Sequence, residues 1–166
     1  MQATRLFTKP GGARSLAAIG VLALSASAAF AGECPANQRV PDGQGQKPGA
    51  MMPKDVTDVV RASTDLSMEP LAFQGRTLRL RELQMKPGGI VPWHSHNDRP
   101  AMIYIVSGEV VEYASSCAVP IVHRAGDVAP ERNGTSHWWK NTGNTTAVLI
   151  SVDLFPNQMH MNEHEM

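Results

Sequence analysis

The chain has 166 residues, with 15 basic and 15 acidic side chains and a formal net charge of zero. This length leaves room for one domain with one hydrophobic core and little more. Because the chain has no excess of lysine and arginine, it lacks the basic surface that phosphate binding needs, and we expect no nucleic acid partner.

Residues 1–31 have the three parts of a secretory signal peptide. Basic residues precede an uncharged stretch from Ser15 to Phe30, which ends in the small-residue pattern Ala29-Phe30-Ala31. We expect cleavage after Ala31 and a periplasmic or secreted protein with no membrane attachment afterwards. The alternative is an uncleaved anchor, which the short, alanine-rich stretch disfavours because a spanning helix needs about 20 apolar residues. Cleavage removes three basic residues and leaves 12 basic against 15 acidic ones.

Residues 32–54 are predicted to form an extended, flexible N-terminal arm, because proline and glycine recur throughout this stretch. The chain has two cysteines, Cys34 in the arm and Cys117. In an oxidising compartment such a pair can form a disulfide that ties the arm to the domain, while two free thiols are the alternative.

Residues 55–156 are predicted to form one all-β domain. The valines between Asp55 and Leu66 fit a strand or a helical face, and we favour the strand. Glycine, proline and asparagine clusters, such as Lys86-Pro87-Gly88-Gly89, separate later runs rich in β-branched, aliphatic and aromatic residues. These runs are Thr77–Met85, Ala101–Val106, Glu109–Ala114, Ile121–His123 and Thr145–Phe155. Short strands at this spacing indicate a sandwich or a barrel.

The sequence His94-Ser95-His96 is a candidate metal site. Residues two apart on an extended strand point to the same face, so both imidazoles can reach one cation. Imidazole binds iron, manganese, nickel, copper and zinc, and the pair alone does not identify the metal. By itself such a pair is a weak signal, because a histidine pair at a surface or in a core, without a metal, is an equally ordinary alternative.

Two stretches around these histidines resemble the two motifs of the cupin superfamily. Residues 88–110 contain Gly88, the histidine pair and a strand ending at Gly108, and residues 126–141 contain Gly126, Gly134, His137 and Asn141. The resemblance covers roughly residues 75–150. It implies a single jelly-roll β-barrel that holds a divalent metal on His94, His96 and His137.

The chain departs from the first motif at Ala101, where cupins usually have a glutamate ligand, and from the second at Arg132, where a proline is usual. Three histidines still suffice to hold a divalent metal with open positions. Asp98 is a further candidate ligand if the strand continues past His96, and otherwise caps a turn or pairs with Arg99. Some cupins have lost their metal, so a metal-free barrel is the alternative.

Several other side chains are candidates for a pocket near the metal. Strand alternation places Trp139 on the face of the ligands, although filling the core is an equally ordinary role for tryptophan. His123 precedes a turn and is expected at the surface. The candidate pocket residues are Arg99, Met102, Tyr104 and Trp139, and the candidate acids or bases are Glu109, Glu131 and Asp98.

These features favour an exported, metal-dependent oxidoreductase of the dioxygenase type that acts on a small molecule. The alternatives are a non-catalytic periplasmic protein that binds a small molecule and a metal-handling protein that uses the Met- and His-rich tail, residues 157–166. That tail is otherwise a terminus without a function. The resemblance also leads us to expect a homodimer.

Overall fold

A computed structural model describes residues 32–69, 73 and 75–157. The predicted signal peptide and residues 158–166 of the tail lie outside the described residues. Short 3-10 turns occur at Ala36–Gln38 and Leu66–Met68. The strands are β1 (Lys54–Asp65), β2 (Arg76–Ser95), β3 (Ala101–Ser107), β4 (Glu109–Ala114), β5 (Ile121–Arg124), β6 (Val128–Glu131), β7 (Ser136–Lys140) and β8 (Ala147–Pro156).

The strands form a nearly closed antiparallel barrel, and β2 runs through both of its sides. The first half of β2 pairs with β1 on one edge and with β8 on the other, and β3 and β6 continue this side. The second half of β2 pairs with β7, which is followed by β4 and β5. The all-β expectation is therefore confirmed, and β5 and β6 form the two ends of the strand order.

The strands form because their side chains alternate between an apolar interior and the solvent. In β3, Ala101, Ile103 and Ile105 are buried, whereas Met102 and Tyr104 point outward. Gly108 ends this strand with a φ of 82°, and a side chain there would meet the backbone of Ala147 at 2.8 Å, so only glycine fits this turn. The core consists of Leu83, Met85, Val91, Ile103, Ile105, Val110, Ala129, Trp139, Ala147 and Leu149.

The turn expected at residues 86–89 is instead a bend within β2. Gly88 has a φ of 77°, which supplies the change in direction. Hydrogen bonds from Gly88 N to Asn141 O and from Asn141 N to Gly89 O keep the bend attached to the sheet. One strand can therefore contribute to both sides of the barrel.

The N-terminal arm is irregular, and it is hydrogen-bonded to the barrel. Gly32 N donates to Val122 O at 2.9 Å, Val40 N to Ser116 O at 3.0 Å, and Gly45 N to Ser115 O at 2.7 Å. A disulfide joins Cys34 to Cys117, which confirms the predicted bridge. The arm is thus a fixed part of the domain from Gly32 onward.

Within the part of the chain that the structure describes, no helix combines the length and the apolar composition required to cross a membrane.

We predict that replacing both cysteines, Cys34→Ser with Cys117→Ser, lowers the free energy of unfolding by about 2–4 kcal/mol, because the bridge closes a long loop in the unfolded chain. Its two ends are 83 residues apart. Urea unfolding at pH 7 measures the change. Reductant should lower the midpoint of the natural chain and leave that of the variant unchanged. Equal midpoints for the oxidised natural chain and the variant would contradict the prediction.

Candidate metal centre

Three histidines and one glutamate meet inside the barrel. The ring centroids of His94, His96 and His137 form a nearly equilateral triangle with sides of 4.6–4.9 Å. One ligand atom from each histidine and a carboxylate oxygen of Glu131 all lie within 4.8 Å of one another. This spread is close to what a shared ion with bonds of about 2.1 Å allows. The structure thus brings together the three histidines that the sequence suggested and adds an acidic group.

A β-bulge in β2 turns the histidine pair inward. Val91 faces Trp139 and His94 faces His137, so β2 takes three steps where β7 takes two. The irregularity lies at Pro92-Trp93, where Trp93 N donates to Ala50 O of the arm instead of to the neighbouring strand. Strict alternation from the buried Val91 would have turned the histidine pair away from the interior. The bulge reverses this alternation.

Glu131 reaches the cluster from the last position of β6. Its partner across the antiparallel pair with β3 is Ala101, the residue that replaces the usual glutamate of the first motif. Directly opposed residues of an antiparallel pair point to the same face, with Cβ atoms about 5 Å apart. Glu131 therefore delivers a carboxylate to nearly the same place from the neighbouring strand.

Each histidine is held by a hydrogen bond from its outer nitrogen. Nδ1 of His94 is 2.8 Å from Pro92 O, and Nδ1 of His96 is 2.5 Å from Arg99 O. A carbonyl oxygen only accepts, so both Nδ1 atoms carry a proton and both Nε2 atoms present a lone pair. This is the tautomer that binds a metal through Nε2, fixed by partners behind the rings.

The third ring is fixed in the same way by a buried glutamate. Nδ1 of His137 is 2.7 Å from Glu112 Oε1 and 3.2 Å from Trp139 Nε1. One nitrogen cannot donate to the carboxylate and accept from the indole at the same time. The shorter contact belongs to Glu112, whose pKa is lowered to about 2 because hydrogen bonds from His123 and His137 outweigh the effect of burial. An ionised carboxylate only accepts, so Nδ1 of His137 is the donor.

Three Nε2 lone pairs and a carboxylate facing one another fit a cation. His137 Nε2 lies 3.1 Å from His94 Nε2 and 3.3 Å from Glu131 Oε1. His96 Nε2 lies 2.9 Å from Glu131 Oε2, but the pair lacks hydrogen-bond alignment, so this buried nitrogen is left without a partner. An unpartnered buried acceptor is costly unless something positive lies between the groups.

The pKa values show the same demand for positive charge. Burial would lower the pKa of His137, but the charges of Glu131 and Glu112 outweigh it and the pKa is raised. Burial would raise the pKa of Glu131, but His137 and the contact with His96 lower it. The pKa of His94 lies well below its ordinary value because of burial and the neighbouring His137. A metal ion would supply the charge that a proton on His137 otherwise provides.

Comparison with known proteins agrees with this geometry. Residues 81–153 match the family model described as a cupin domain. This match indicates a cupin domain in this part of the chain. The oxalate-binding protein of Thermotoga maritima is 33% identical over 81 residues, which span 49% of this chain and 65% of that protein. The auxin-binding protein ABP19b of Prunus persica is 28% identical over 79 residues, or 46% of this chain and 38% of that protein.

The matched stretches thus span less than two thirds of either relative. Among solved structures, the chain is similar to KdgF from a Halomonas species, with a TM-score of 0.48 and 14% sequence identity over 63% of this chain and 84% of that one.

Asp98 lies outside the group of candidate metal ligands in the barrel. Its carboxylate pairs with Arg76 and its side chain is 55% exposed. The strand ends at Ser95, so the alternation that would have turned Asp98 inward does not continue. The turn interpretation is the one that fits, with Arg76 as the partner of Asp98 in place of Arg99.

The other candidates divide between the interior and the surface. Met102 and Tyr104 are exposed on the outer face of β3, so they do not line the site, whereas Trp139 is buried against His137. Glu109 is part of a surface ion pair with Arg124. His123, expected at the surface, is fully buried because its Nε2 bonds to Glu112 and its ring stacks on Trp139.

A second network of buried charges lies beside the candidate metal ligands. Asp153 is fully buried and pairs with Arg79 at 2.6 Å, with Arg81 at 3.6 Å and with Arg99 at 3.5 Å. Arg81 also pairs with the buried Asp58 of β1. Arg99 belongs to both networks, because its carbonyl accepts from His96 while its guanidinium faces Asp153.

Sequence reasoning missed the roles of Glu112, Glu131 and His123. Glu112 lies among buried neighbours in β4, and an acidic residue within an apolar strand signals a buried partner. Glu131 was considered only as an acid or base, although it lies two residues after the buried Ala129 and hence on the same face. No local signal marks His123, since its partners come from β4 and β7.

We predict that Glu112 makes the protein sensitive to acid. The pKa of this carboxyl is about 2 in the folded protein against an ordinary 4.5. A lowered pKa stabilises the fold above pH 4.5, and the contribution is lost as the pH falls from about 4.5 towards 2. The difference in unfolding free energy between the natural chain and Glu112→Gln should therefore shrink over this range, as measured by urea unfolding with a chelator present.

The matched control is Glu109→Gln, which removes a more exposed carboxyl of the same strand that pairs with Arg124. Its difference from the natural chain should stay nearly constant with pH. A Glu112→Gln difference that is equally constant from pH 6 to pH 3 would show that Glu112 is not the acid-sensitive group.

Proposed function

We propose that this protein is an exported cupin that holds one divalent metal on His94, His96, His137 and Glu131 and uses it to bind a small chelating molecule. The observation that carries the proposal is the set of outer hydrogen bonds that directs three Nε2 lone pairs to one point. A histidine cluster with only a structural role has no need for every ring to adopt the same tautomer.

The donor set suits a first-row transition metal. Three imidazoles and one carboxylate bind iron, manganese, nickel, copper or zinc, and they leave up to two positions of a six-coordinate ion open. When bound, the ion would polarise an oxygen ligand and, if it is redox-active, exchange electrons with it. The protein side chains would hold the ion, while Glu112 keeps His137 oriented and Trp139 shields the ring from water.

Oxidation of the bound molecule by dioxygen is the second, more specific candidate function. A small, mostly apolar cavity of about 20 Å³ lies beside His94 and Glu131. It is lined by Leu83, Val91, Ile103 and Leu149, with Trp139 and Arg81. A cavity of this size holds one molecule about as large as water, and its apolar walls favour a small nonpolar gas over water. This supports a dioxygenase-type reaction.

Two further observations support export and a small ligand. The leader-like pattern of residues 1–31 is joined by a disulfide, a bond that persists in oxidising compartments. The relative from Thermotoga maritima is named for binding oxalate, a small chelating anion. We propose a ligand of the same kind for this chain.

Metal analysis tests the proposal. Protein purified without a tag should contain close to one metal ion per chain by elemental analysis, and the double variant His94→Ala with His137→Ala should contain almost none, since half of the donor set is gone. Equal metal content in the two proteins would contradict the site.

The role of Glu131 can be tested by removing its carboxylate and placing one at the opposed position 101 of β3. Glu131→Ala should weaken metal binding by on the order of a hundredfold, because even partners behind the ligands are worth about 10–100-fold. Adding Ala101→Glu to that variant should recover part of the loss, since the two positions face each other. A matched control, Ala129→Glu with Glu131→Ala, places the carboxylate one inward position earlier on β6 and should not recover binding.

We further propose that two copies pair through the outer face of β1, β2, β8, β3 and β6. Ala62, Leu80, Val152, Met102 and Pro130 lie in one register across these strands and are all exposed. An apolar row of this length on a sheet is unusual for a face in contact with water. Two copies related by a twofold axis would cover it with the same row.

Light scattering during size-exclusion chromatography should show a dimer for the natural chain at about 50 µM and a monomer for Met102→Glu with Val152→Glu, because two buried charges without partners oppose association. The control Arg124→Glu changes an exposed charge on β5, on the opposite side, and should leave the dimer intact. A monomeric natural chain would contradict this proposal.

A further inference from the structure

A second, larger cavity opens between the two end strands of the barrel. Its volume is about 340 Å³, which suits a small organic molecule. Ile121 of β5 and Ala129 of β6 line it, and the arm contributes residues 32–34 and 39–40. Glu131 and His137 also border this cavity, so it reaches two of the four proposed metal ligands.

The charged groups around this cavity differ in whether they have partners. Glu33 pairs with Arg39 at 3.2 Å within the arm. Glu112 is hydrogen-bonded to His123 and His137, and Glu131 is in close contact with His96 and His137. Arg132 also borders the cavity, and its guanidinium makes no hydrogen bond or ion pair with any described residue. Arg132 is therefore an unpaired positive charge at a cavity that leads to the metal site.

Arg132 is also a departure of this chain from its family pattern, which has proline there. Proline would offer no charge and no donor, whereas a guanidinium offers a planar fork that matches a carboxylate. Ser116 and Thr135, whose hydroxyl oxygens are 3.4 Å apart, add neutral donors to the same lining.

We infer that this cavity is the binding site of the ligand and that it selects a small dicarboxylate, with Arg132 holding the carboxylate oxygens that face away from the metal. The inference rests on the proposed function, because the other end of the ligand would occupy the open positions of the ion. The ion and Arg132 both attract negative charge from different sides of the cavity, so an anion with carboxylate oxygens at both ends fits better than one with a carboxylate at one end.

The disulfide acquires a role in binding from this arrangement. Cys34 lines the cavity, and its bond to Cys117 holds the arm segment from Gly32 to Val40 against the barrel. The arm is thus one wall of the site.

Calorimetric titration of the metal-loaded protein with oxalate and with oxamate, which lacks one of the two carboxylate charges, tests the inference. The natural chain should bind oxalate at least about tenfold more tightly than oxamate, in line with the strength of a charged hydrogen bond. Arg132→Gln should weaken oxalate binding by about tenfold and change oxamate binding little. Arg132→Lys should recover part of the loss.

The matched control is Arg124→Gln, which removes an exposed arginine that pairs with Glu109 and does not line the cavity. It should bind both anions as the natural chain does. Metal content is measured first, and a natural chain without metal overturns the proposed function itself. If the metal is present, the inference is overturned when oxalate fails to bind, or when Arg132→Gln keeps the natural preference for oxalate.

Discussion

The proton on the outer nitrogen of each histidine is the feature on which the site depends. Two backbone carbonyls and Glu112 accept hydrogen bonds from these N–H groups. Each of the three rings therefore keeps an Nε2 lone pair that is directed inward. The carbonyls belong to Pro92 and Arg99, so the backbone on both sides of the histidine pair fixes its tautomers. Any change that moves this backbone alters the charge distribution of the cluster without touching a ligand.

The position of the carboxylate shows that a site is defined in space and not by spacing along the chain. Ala101 leaves the first motif without its acidic residue, yet Glu131 supplies one from the paired strand. Opposed positions of an antiparallel pair of strands face the same part of the interior. The ligating residue can therefore belong to either strand of the same barrel. A motif read along the sequence records only one of these two positions.

Sequence alone predicted the all-β fold from the runs of strand-forming residues between turns, the disulfide from two cysteines in an expected oxidising compartment, and the three histidines from the resemblance to the cupin motifs. It did not predict the bend of β2 at Gly88 or the bulge at Pro92-Trp93, since both depend on hydrogen bonds to distant segments. It also left open which face of β3 points into the barrel, the face of Met102 or the face of its neighbours in the strand. The packing of β3 between β8 and β6 decides that face, and no property of β3 alone distinguishes the two sides.

The interior of the barrel separates two kinds of buried charge. One group places three arginines around Asp153, and the other places two glutamates among three ligand histidines and His123. Arg99 joins them, because its backbone bonds to His96 while burial and the neighbouring Arg81 lower the pKa of its guanidinium. Removing one partner from such a network leaves uncompensated charge, so the arginine group holds Arg99, and through it His96, in a single position. The candidate metal site is therefore supported from behind by a charge network that reaches it through the backbone of Arg99.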